Sequence, residues 1–96
     1  MDKTQQILEK IKLMLLEMGF TETTVTNPHR SVTNYVSRDL YCIPQYVGRL
    51  GFLIEYAHSL EEAQKHMYGD GDSFPITMGE EEILRGLELE VQRALN

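Results

Sequence analysis

Basic charge is scarce in this sequence. Nine Lys and Arg stand against fifteen Asp and Glu, a formal net charge of -6. The deficit lies in the second half: residues 1–50 carry six basic and five acidic side chains, residues 51–96 three and ten. A protein that tracks a nucleic-acid backbone needs the opposite sign, because phosphate contacts supply much of its affinity. The same argument removes an anionic membrane as a direct partner and leaves a basic protein surface as the fitting one.

Cysteine is reduced to Cys42 alone, which excludes an intrachain disulfide framework and a cysteine-based zinc site. Tryptophan is absent. The longest apolar run near the N-terminus, Leu13 to Leu16, falls far short of a signal h-region or a membrane span, so a cytoplasmic protein is expected. There is no nucleophile elbow, no phosphate-cradling glycine loop and no zinc spacing, so neither an enzyme nor a cofactor is expected.

What remains is ordinary globular composition, 42% hydrophobic and 25% charged, in 96 residues, which predicts a single domain over 1–96. Ile7, Ile11, Met14 and Met18 recur at helical spacing and predict a helix over about 3–18. Asp2 with Gln5 suits its start, and Gly19 before Phe20 suits a left-handed stop. From Thr21 to Ala57 the period changes to that of strands. Asn27-Pro28 marks a turn, and Pro44 marks an edge, a bulge or a strand end because it has no amide to donate. Phe52, Ile54 and Tyr56 share one face of the clearest strand. Ser59 and Glu62 form a capping box that opens a short helix reaching about Met67, with Leu60, Ala63 and Met67 inward. Thr77 and Glu80 form a second box before a helix striped by Ile83, Leu84, Leu87, Val91 and Leu95. The expected fold is α+β: a small antiparallel sheet of three to four strands, with the N-terminal and C-terminal helices packed on one face.

Tyr68 to Glu82 is acidic, glycine-containing and placed between two predicted helices, where a calcium loop would sit. Counted from Asp70, positions 1, 3 and 12 are Asp70, Asp72 and Glu81, which are oxygen ligands. Positions 5 and 6 are Phe74, which cannot ligate, and Pro75, which cannot take the positive φ that glycine supplies there. A rigid turn feeding an acidic first helical turn accounts for these residues better, and no metal ligand is assigned. His58 and His66, eight residues apart, do not make a helical metal pair. Cys42 lies in a strand pattern, away from the settings that stabilise a thiolate, and reads as a buried residue. Glu55 reads as a solvent-facing strand residue, with a binding carboxylate as the alternative.

The order Gly51-Phe-Leu-Ile-Glu-Tyr-Ala-His-Ser-Leu-Glu-Glu-Ala63, then Asp70-Gly-Asp-Ser-Phe-Pro75, then Gly79-Glu-Glu-Glu-Ile-Leu84 resembles the layout of small bacterial immunity proteins encoded beside polymorphic or contact-dependent toxins. The resemblance covers the C-terminal half. It implies a non-catalytic cytosolic inhibitor that occludes one cognate toxin, often a basic nuclease domain. On that reading Glu61, Asp70, Asp72, Glu80 and Glu81 supply the charge. Tyr41, Tyr46 and Tyr68 supply aromatic anchors, with Tyr41 and Tyr46 expected to be exposed. A calcium-binding module and a homo-oligomer, for instance a homodimer, are the alternatives.

Overall fold

The fold is a computed structural model that describes residues 2–96. Helix α1 spans Lys3–Glu17 and leads into four strands, β1 Thr21–Asn27, β2 Arg30–Ser37, β3 Leu40–Val47 and β4 Gly51–Ala57. A short helix α2, Leu60–Gln64, and a two-residue strand β5, Gly69–Asp70, precede the last helix α3, Glu80–Leu95. The strands form one antiparallel sheet in the order β1-β2-β3-β4-β5, one strand more than the upper sequence expectation.

Both ends of α1 follow local chemistry. The Asp2 carboxylate accepts the Gln5 amide at 2.9 Å, satisfying a donor that the first turn leaves free. At the far end Gly19 takes φ +97°. The Phe20 amide reaches Leu15 O and the Gly19 amide reaches Leu16 O, the paired bonds of a Schellman stop.

Ile7, Ile11 and Leu15 of α1 and Ile83, Leu87 and Val91 of α3 are fully buried against Tyr35, Cys42, Phe52, Ile54 and Tyr56. Strand alternation places those five on one face of the sheet. Both long helices therefore pack on one face, as expected. The short helix packs on the other: its Ala63 clusters with Val25 and Ala57, flanked by Tyr41 and Tyr68.

The sheet opens between β2 and β3. Their pairing stops at Tyr35↔Cys42. Arg38 and Asp39, both at positive φ, make a two-residue turn that sets Ser37 and Leu40 as a hydrogen-bonded pair. Alternation makes Tyr35 and Cys42 the next such pair, and Thr33 with Pro44 would be the one after. Pro44 has no amide to give, so the ladder ends there. Its missing donor faces β2, and the β3–β4 ladder runs through it unbroken from Tyr41↔Ala57 to Val47↔Gly51. Freed from β3, the tip of the β1–β2 hairpin curls so that α2 touches both β1 and β4, which are not neighbours in the sheet.

Three sequence expectations are corrected. The middle helix ends at Gln64 rather than near Met67, because His66 takes φ 56° and closes a second Schellman stop through the Met67 amide on Glu62 O. Leu60 and Met67 are exposed, at 48% and 59%, and only Ala63 of the predicted inward trio is buried. The C-terminal helix is capped by Gly79 without a side-chain bond, so Thr77 forms no capping box.

Candidate functional site

The acidic loop is held by three close approaches. Gly51 sits at φ +102°, and a Cβ there would stand 2.1 Å from Phe74 O. The bare backbone lets Phe52 and Phe74 exchange both amide–carbonyl bonds at 2.8 Å. The Phe74 ring then lies against Gly86 of α3. Glu90, one turn further along α3, completes the clamp. One carboxylate oxygen accepts the Tyr56 hydroxyl at 2.7 Å and the other accepts the Asp72 amide. Burial, with the Glu90 carboxylate beside it, pushes the Tyr56 phenol up. The same two causes push the Cys42 thiol up to about 12, so it is un-ionised at neutral pH.

This frame is not helix–loop–helix. Asp70 belongs to β5, and the preceding helix has already ended at Gln64. Asp70 pairs across the sheet edge with Glu55. Glu55, read from the sequence as a solvent-facing residue, is half-buried, and it accepts a bond from the Gln45 amide. Its carboxyl is held above the usual carboxylate range by burial and by the Asp70 charge, with His66 opposing. Among the described residues no group of three or more His, Cys, Asp or Glu converges as a metal site would.

Of the residues expected to carry binding, Asp70, Asp72, Glu61 and Glu81 are exposed, and Glu80 is half-buried. Glu61 lies on α2 and pairs with Lys65 at 2.9 Å. Glu80 pairs with Lys10 of α1 at 2.6 Å. Glu61 therefore stands on the opposite side of the sheet from Glu80 and Glu81. Tyr41 and Tyr46 are half-buried, not exposed, and five positions apart on one strand they point to opposite faces. Tyr46 packs on Phe52 at 4.9 Å between ring centres, under the helices. Tyr41 lies with Tyr68 beside the α2 cluster. Tyr68 is half-buried, and its hydroxyl donates to Oδ1 of the fully buried Asn34 at 2.8 Å. The eight residues do not make one patch.

The structure adds a feature that the sequence pattern alone does not single out. An open groove of about 470 Å³ runs between the outer faces of α1 and α3. Leu13, Met14 and Leu84 form its floor, and Glu17, Glu81 and Glu88 outnumber Lys10 and Arg85 along it. The residues come at the i, i+3, i+4, i+7 spacing of one stripe on each helix, but which stripe is left uncovered depends on how the helices sit on the sheet. No helix is long and apolar enough to cross a membrane among the described residues. No family model, curated protein or solved structure matches this chain.

Proposed function

We propose that this chain is a non-catalytic protein-binding module, an immunity protein that neutralises one cognate bacterial toxin by covering it in the cytoplasm. The observation that carries the reading is the set of carboxylates with no salt bridge among the described residues. Asp72, Glu81, Glu82 and Glu88 lie on the α3 side of the molecule, while Lys10, Lys12 and Lys65 pair with Glu80, Glu9 and Glu61. Of these, Glu81 and Glu88 of the α3 side line the groove beside Leu13, Met14 and Leu84, and carboxylates so placed suit a basic partner, which they steer at long range and orient on contact. Leu13, 57% exposed, offers apolar area at the groove. Asp70 and Asp72, fixed by the clamp on the loop, add charge without the entropy cost of ordering a flexible segment.

The test is co-expression with the toxin domain encoded beside it, in cells that the toxin alone arrests. Growth is expected to recover, and the two proteins to co-purify at equal stoichiometry. Charge reversal at Asp72, Glu81 and Glu88 together is expected to slow association about tenfold or more and to make it less salt-dependent. Recovery of growth without a complex, or a complex indifferent to the reversals, overturns the reading.

A further inference from the structure

The two edges of the sheet are unlike. β5 offers only two residues, whereas β1 runs for seven and pairs with β2 in unbroken register from Thr21↔Val36 to Asn27↔Arg30. Edge strands are usually blunted by lysine, proline, a bulge or shortness. Between Thr21 and Asn27 there is no lysine, proline or bulge, and Glu22 is the sole charge.

The ladder parity fixes which backbone groups are free. With Tyr35 and Cys42 hydrogen-bonded, the amides of Val32, Asn34 and Val36 face β1, bonded to Val25, Thr23 and Thr21. The amides and carbonyls of Glu22, Thr24 and Thr26 therefore point out of the sheet. Thr26 Oγ1 and Ser31 Oγ approach to 3.2 Å, the close side-chain contact expected of the non-hydrogen-bonded pair this parity assigns them. No helix roofs this edge on the α1–α3 face: α1 rests on β2 and β3, α3 rests on β4, and the side chains of Glu22, Thr24 and Thr26 are exposed.

We infer that β1 is a self-pairing edge, through which two copies join antiparallel about a two-fold axis at Thr24 into one continuous sheet. In that register Thr24 exchanges both backbone bonds with the partner's Thr24, and Glu22 does so with the partner's Thr26 on each side. Each carboxylate meets a threonine rather than a second carboxylate, and Thr23 faces the partner's Val25, a β-branched pair. A second copy fits this edge better than a basic strand does, because β1 has one carboxylate to offer and the remaining acidic groups lie elsewhere. The isologous contact needs no other surface and is independent of toxin binding.

Sedimentation of the full chain from about 1 µM to about 1 mM tests it. The wild type is expected to pass from monomer to dimer, with the Glu22, Thr24 and Thr26 amides gaining protection from hydrogen exchange as it does. Thr24→Pro removes an amide that plays no part in the β1–β2 ladder and is expected to weaken the dimer about tenfold or more. Thr24→Lys keeps that amide and sets two ammonium groups opposite each other, so it gives the same answer if the proline variant misfolds. A wild type that stays monomeric throughout, or a dimer that a folded Thr24 variant leaves unchanged, overturns the proposal.

Discussion

The Phe74 ring occupies the space that a side chain at position 86 would fill: a Cβ on Gly86 would meet Phe74 Cε1 at 2.5 Å. By helix propensity alone Gly86→Ala gains about 1 kcal/mol, since glycine is the worst ordinary residue in a helix interior. Here the clash outweighs that gain. The variant is expected to lose about 1–3 kcal/mol, read as a lower urea midpoint. In a Phe74→Leu background the penalty should shrink or reverse, and an equal loss in both backgrounds would contradict the contact.

Tyr56 and Glu90 tie α3 to the sheet, and the same carboxylate holds the loop at Asp72. Tyr56→Phe keeps the ring and removes the donor to a charged acceptor. An expected loss of about 1.5–3 kcal/mol follows, with the Asp72 amide exchanging faster than in the wild type. If the urea midpoint and that amide are both unmoved, Glu90 is not the link.

Glu55 makes stability depend on pH. Its folded pKa is raised, so in a window above the ordinary carboxylate value the folded state holds a proton that the unfolded chain has released. Stability from this group is fully present below the unfolded pKa and is lost as pH rises through the folded one. Glu55→Gln keeps an acceptor for Gln45 and removes the charge facing Asp70. Thermal melts are expected to show the variant gaining on the wild type as pH rises from about 4.5 to neutrality. A constant difference across that range would contradict this assignment.

Cys42 is fully buried and its thiol is pushed up. Labelling by a disulfide reagent at neutral pH is expected only on the timescale of unfolding, accelerating with urea. Fast labelling of the native protein would place the thiol in solvent.

Much of the architecture was legible in local chemistry. The α1 stripe, its Asp2 cap and its Gly19 stop are decided within a few residues, as is the shared face of Phe52, Ile54 and Tyr56. The Ser59–Glu62 box was legible too, although the Glu62 carboxylate reaches the His58 amide, one residue earlier than a standard box. The candidate site was far less legible. Glu61 and Glu81 are similar letters in one acidic half, yet α2 and α3 lie on opposite faces of the sheet. Tyr41 and Tyr46 flank the same proline, yet strand alternation sends them to different sides.

The sequence by itself determined both ends of α1, the strand period, the α+β class and the sign of the surface, because each rests on backbone geometry or charge within a few residues. Only the tertiary structure decided the roles of the remaining groups, because those contacts join residues far apart in the chain. By helix propensity alone Gly86 is a weak point, and only the Phe74 ring arriving from the loop gives the missing side chain a role. Pro44 looked like a generic strand end until the ladder parity aimed its missing amide at β2. The carboxylates looked like one acidic tract until Glu80, Glu61 and Glu90 were claimed by Lys10, Lys65 and Tyr56 and so set apart from Asp72, Glu81, Glu82 and Glu88, which make no salt bridge among the described residues.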